Sequence, residues 1–161
     1  MPGPIVLSTV IDKKDDDFLA RNIKGSMMTI ISRWNARMDA ARAETEFADI
    51  RPADMRVFGN LRGRTVKLSV IHKEMGFSRQ AAQQAIDRLV AHDMVVVSND
   101  GGNRRDKLVS ITEKGQRWRS LAAEQIRRIE ADIANVLGDD AKETLRESLT
   151  TLLAQMTDGV T

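Results

Sequence analysis

The stretch that most restricts this chain is KLSVIHKEMGFSRQAAQQAIDRLVAHDMV, residues 67–95, with VVVSNDGGNRRDKLVSIT, residues 95–112, running on from it. The first part predicts a short helix at about 67–75, carrying Leu68, Ile71 and Met75. Gly76 ends it, because glycine tolerates the positive φ of a tight turn. Ser78 can cap a second helix over 79–92, whose inner face is Ala82, Ala85, Ile86 and Leu89. Ile71, Met75, Phe77, Ala82 and Ala85 would supply the contacts between the two helices. The second part has two β-rich runs around a Gly-containing polar connector, which predicts a hairpin. Two helices across a glycine turn followed at once by a hairpin describe a winged helix-turn-helix.

The rest of the chain predicts more helix. Pro2, Gly3 and Pro4 make 1–16 an irregular arm, flexible or packed on a partner, and the IVLSTVI patch within it fits either state. Leu19, Ile23, Met27, Ile31, Trp34 and Met38 recur at helical spacing and predict one long amphipathic helix of roughly 17–45, in a dimerisation segment spanning 17–50. Pro52 suits the first turn of a helix with Met55, Phe58 and Leu61 inward and Gly63 past its end. Thr112 can cap a helix from 113 to about 137, striped by Trp118, Ala122, Ile126, Ile129 and Ile133. Gly138 stops it. Asp140 and Glu143 have capping-box-like spacing for a last helix carrying Leu145, Leu149, Leu152 and Met156. The expected fold is therefore mainly α with a small β-wing: a winged helix-turn-helix over 51–112, flanked by N- and C-terminal dimerisation helices, the latter in 113–161. These stripes hold more apolar surface than one small winged helix can cover, so a homodimer is expected.

Composition narrows the function. The 161 residues contain no Cys, which excludes disulfides, Cys-zinc sites and thiol redox sensing. The reducing cytoplasm fits this, and no apolar run approaches the roughly 20 residues that span a bilayer, so no membrane partner is expected. The N-terminus lacks a basic start and an A-x-A-like site and does not read as a secretory signal. The formal charge of +2 is uneven. Residues 51–119 carry 14 Lys and Arg against 7 Asp and Glu, whereas 1–50 carry 7 against 8 and 120–161 carry 4 against 8. A basic middle between acidic flanks points to a polyanion.

The outward face of the 79–92 helix says which one. Arg79, Gln80, Gln83 and Gln84 point away from the predicted core, with Arg88 one turn later and Ser78 at the start. The major groove of DNA admits a helix, where Gln can pair with the N6 and N7 edge of adenine and Arg with O6 and N7 of guanine. A solvated helix face is the plainer reading, but amides and arginines suit base edges better than catalysis. Beside it, Arg104 and Arg105 at the hairpin tip can enter the adjacent minor groove, whose narrowness concentrates negative potential. Lys107 can touch phosphate. A charged loop tip that blocks edge aggregation is the alternative. The two His, at 72 and 92, with Glu74 and Asp93 nearby, make no recognised metal spacing. No phosphate loop or nucleophile motif appears, so neither an enzyme nor a cofactor is expected. The rival reading is a winged-helix module that binds protein without sequence-specific DNA binding.

The segments IRPADMRVFGNL, GFSRQAAQQAIDRLVAHDMV and NRRDKLVSITEKG resemble, in order and spacing, the MarR family of bacterial winged-helix transcriptional regulators. They match its pre-motif helix, recognition helix and wing, and with the flanking helices the resemblance covers about 17–157. It implies a cytoplasmic, nucleoid-associated homodimer on a palindromic operator, usually a repressor released by a small anionic or phenolic ligand. A ligand pocket would lie where dimer helices meet the winged helix, with Trp34, Met38, Met55 and His72 as candidates by position. A simple core role for the tryptophan and methionines outweighs it. Three departures stand out. Asn103 replaces the Asp usual two residues before the wing arginine at 105. His72 takes the place of a small residue. Arg51 and Lys67 stand where Thr usually caps a helix.

Overall fold

The structure, a computed structural model, describes residues 11–100 and 102–157. The chain divides into two compact units at Met38/Asp39. In the first, α1 spans Lys13–Arg21 and α2 begins at Ile23, to run on to Ala43. Asp12 caps α1, its Oδ1 accepting from the Lys14 amide at 2.9 Å. Helix thus starts inside the 1–16 segment expected to be an irregular arm, because a capping Asp and acidic residues 15 and 16 favour the positive end of a helix. Residues 1–10, with the IVLSTVI patch, lie almost wholly outside the described residues.

The single helix expected over 17–45 is two. Asn22 adopts φ −70° and ψ 152°, and its side chain serves both neighbours. Nδ2 donates to the Leu19 carbonyl at 2.6 Å and Oδ1 accepts from the Gly25 amide at 2.8 Å. An amide carries both donor and acceptor, so one residue can close one helix and open the next. The apolar periodicity runs straight through this break and conceals it.

In the second unit, the turn after α2 is tied by Arg42, only 5% exposed, whose Nη1 donates to the carbonyls of Phe47 and Ala48 at 3.0 and 3.1 Å. The third helix, α3, is Pro52–Asn60 with Pro in its first turn. Strand β1 is Val66–Lys67, α4 is Leu68–Met75, α5 is Arg79–Ala91, β2 is Val95–Asp100 and β3 is Asn103–Ile111. Then come α6, Glu113–Leu137, and α7, Asp139–Thr157. The sheet is antiparallel in the order β1-β3-β2. Its third strand, two residues that pair Val66 with Val109, was not expected from the sequence.

Local chemistry explains the helix ends. Gly76 sits at φ +65° and the Phe77 amide reaches back to the His72 carbonyl at 3.0 Å, closing α4. Ser78 Oγ accepts from the Ala81 amide at 3.1 Å, and Thr112 Oγ1 from the Gly115 amide at 3.0 Å. Arg51 and Lys67 make no side-chain capping bond, so α3 and α4 forgo about 1 kcal/mol each. The capping box expected from Asp140 and Glu143 does not form. The Lys142 amide bonds to the Gly138 carbonyl, so α7 starts two residues earlier than a cap at Asp140 would set it, and Glu143 turns to Arg146 instead.

The core of this unit gathers Phe58 and Leu61, Ile71 of α4, Ala82, Ala85, Ile86 and Leu89 of α5, Met94 just before the sheet, and Val95 and Val109 within it, each at most 3% exposed. Burying each larger side chain contributes about 1.5–3 kcal/mol. Phe77, expected between the two helices, is 39% exposed, left outside by the turn at Gly76. Edge-to-face packing of Phe47 on Trp118, centroids 5.4 Å apart, joins α6 to the turn after α2. Arg146 holds Glu130 with bonds of 2.9 and 2.8 Å, joining α7 to α6. Among the described residues, no helix is long and apolar enough to cross a membrane.

Candidate nucleic-acid interface

With α4 and β2 packed on one side of α5, its four core residues point inward and the opposite face is left to solvent. Ser78, Arg79, Gln80 and Gln84 are exposed there, as the sequence predicts, and Gln83 is half-buried. Gln83 Nε2 donates to Asp87 Oδ1 at 2.7 Å one turn on. Asp87 itself is exposed and extends the same face. Sequence reasoning missed it, although i,i+4 spacing to Gln83 is a signal that could have found it.

Arg88 is placed otherwise than expected. Its Nε and Nη2 each bond the Asp54 carboxylate at 2.8 Å, one bond to each oxygen. Asp54 is 1% exposed, so the guanidinium is drawn in to satisfy a carboxylate that water cannot reach. The pairing raises the Arg88 pKa above its already high ordinary value, the hydrogen bond to Asp54 being the main cause. Arg88 therefore clamps α5 to α3, and the expectation that it points away from the core is not met.

The wing is a hairpin with a shift in register. Val95 to Asn99 pair with Ile111 to Lys107 one for one, and then Asp100 pairs with Asn103. Three residues of β3, 104–106, fall between the last two pairs, where β2 has none. The two arginines thus sit in a bulge rather than at the turn itself, and a bulge bends the strand that carries it. Lys107, just behind, is exposed. The side chains of Asn103, Arg104 and Arg105 lie outside the described residues.

The four candidates for a ligand pocket fall two in each unit. Trp34 and Met38 belong to the first unit and are half-buried. Met55 is 8% exposed and forms part of the core, because it lies on the inward face of α3. His72 is half-buried, and its Nε2 is buried without a hydrogen-bond partner among the described residues. A cleft of about 260 Å³ does exist beside α6, walled by Phe58, Trp118, Ala123 and Ile126, with Arg62 and Arg119 on its lining. None of the four expected residues is on that lining. Among the described residues, no group of three or more His, Asp or Glu side chains gathers as a metal site.

No protein-family model matches this sequence, and no curated protein matches it. Solved structures do. A MarR transcriptional regulator from Methanosarcina mazei superposes with a TM-score of 0.70 at 15% identity, over 86% of this chain and 99% of that one. Streptococcus pneumoniae FabT, solved in complex with DNA, gives 0.69 at 16% identity, over 84% and 96%. The transcriptional regulator BldR from Sulfolobus solfataricus gives 0.64 at 18% identity, over 90% and 99%. Identities this low speak for architecture alone, and the likeness extends over most of each chain. By fold, the chain shares the winged-helix architecture of these MarR-family structures.

Proposed function

We propose that this protein is a sequence-specific DNA-binding transcriptional regulator, a homodimer that represses from a palindromic operator and is released by a small anionic or phenolic ligand. The observation that carries the DNA reading is the two-sidedness of α5. Its apolar face is sealed in the core while Arg79, Gln80 and Gln84 stand free on the other side, next to a basic wing. A helix so presented can enter a major groove, and its amides and guanidinium match the donors and acceptors of base edges. That one similar structure holds DNA supports the same reading.

Apolar surface supports the dimer. On α6 and α7, Ile126, Val136, Leu137, Leu152, Leu153 and Met156 are each about half exposed or more, and the first unit leaves Phe18, Leu19, Ile23 and Met28 open. A second copy would cover them and would set two α5 helices about one DNA turn, ~34–36 Å, apart. The effector reading now attaches to the cleft beside α6. Its size suits a small aromatic acid, with Phe58 and Trp118 against the ring and Arg62 or Arg119 against the anion. Such a regulator would work in the cytoplasm, on the nucleoid.

Selection of duplexes from a random pool by the purified protein, followed by titration at several salt concentrations, tests the reading. A selected duplex should bind far more tightly than a scrambled one, with log affinity falling against log salt at a slope near −0.9 per phosphate neutralised. No enriched sequence and no salt dependence would favour the protein-binding module instead.

A further inference from the structure

Resting on the DNA-binding reading above, we propose that Asp87 is a positioning residue for base selection: by holding one N–H of Gln83, it makes that amide accept adenine and refuse guanine. The bond from Gln83 Nε2 to Asp87 Oδ1 is 2.7 Å long. The two ends of a carboxamide are easily confused, but a carboxylate oxygen only accepts, so the nitrogen must be the end that faces Asp87. Arg88, the adjacent cation, does not compete for this carboxylate through the two nitrogens it commits to Asp54.

The consequence follows from counting donors. A free Gln carries two N–H donors and one acceptor oxygen. With one N–H engaged by Asp87, one donor and the oxygen remain. Adenine offers N7 as acceptor and the N6 amino group as donor, which this pair satisfies. Guanine offers two acceptors, N7 and O6. It would need both N–H groups, and would otherwise set its oxygen against that of the amide. Asp87 therefore removes the second donor that guanine requires. Gln83 is half-buried and Asp87 exposed on one face of α5, and neither is among the buried residues of that helix.

Binding of Asp87→Ala, Gln83→Ala and the double variant to duplexes differing at single positions tests this, with the thermal midpoint as a control on folding. One position should lose its preference in Gln83→Ala, and there the wild type should favour adenine over guanine by about tenfold, in the range of a bidentate pair. Asp87→Ala should reduce that to about twofold, chiefly by binding the guanine duplex better, and should have no such effect in the Gln83→Ala background. Equal strengthening on every duplex with the preference intact would make Asp87 merely a charge and overturn the inference. So would a wild type that selects DNA through positions indifferent to Gln83→Ala, which leaves the regulator reading standing. A wild type that selects no sequence at all would overturn both.

Discussion

Arg88 and Asp54 lie 34 residues apart and are joined by two hydrogen bonds of 2.8 Å, across the junction between α5 and α3. The carboxylate is buried and the guanidinium remains partly open, at 2% and 38% side-chain exposure. The pair connects the helix that would read DNA to the body that carries it. Arg88→Ala leaves a buried carboxylate without its partner. It should lower the midpoint of urea unfolding, because Asp54 is 1% exposed and water cannot take the place of the arginine. An unchanged midpoint would show that the pair holds nothing.

A second expectation concerns close packing at the start of α6. A Cβ built on Gly115 would lie 2.5 Å from the Met94 carbonyl oxygen and 2.6 Å from Ile111 Cγ2. Alanine ordinarily stabilises a helix by about 1 kcal/mol over glycine. Here backbone must move to admit it, so Gly115→Ala should be a net loss of about 1–2 kcal/mol, read as a lower thermal midpoint. A rise in the midpoint would contradict the packing described.

Several features of the fold could be read from local chemistry. Gly76, Ser78 and Thr112 each act within three or four residues of themselves, and the helices and hairpin they delimit lie where the sequence places them. What stayed hidden depends on distance or on brevity. Strand β1 has two residues, too few for any period, and forms only because β3 is there to pair with. Arg88 reads as an outward side chain until Asp54 is brought beside it from another helix. Asn22 breaks a helix through its own side chain while the apolar pattern continues across it. Met55 was a pocket candidate by position alone, and the core takes it.

The junction of α6 and α7 should respond to acid. The hydrogen bonds from Arg146 hold the Glu130 carboxyl below its ordinary range. A depressed folded value means stability that is present above the unfolded carboxylate pKa of about 4.3 and lost as pH falls through the folded one. Wild type should therefore exceed Glu130→Gln in urea midpoint at pH 6, by a small margin since the pair is partly exposed, and the two should converge towards pH 3. A difference that persists unchanged at pH 3 would rule out the ion pair as its source.

Sedimentation at micromolar concentration should give about twice the 18.0 kDa of one chain. Replacing Leu152 and Met156, 56% and 69% exposed, by Asp should shift it towards the monomer, because charge would then have to be buried in the interface. A wild type that sediments as a monomer would leave the open apolar faces of α6 and α7 without their proposed cover.

The proposed function stands on the outer face of α5 meeting base edges in a major groove. Substitution of 7-deaza-adenine, one position at a time, in the selected duplex removes the N7 acceptor there and leaves the minor groove untouched. The account predicts that one or more positions lose about tenfold in affinity, and that Gln83→Ala or Gln84→Ala abolishes the loss at a matching position. Full affinity at every 7-deaza position, in a protein that still selects its duplex, would contradict it.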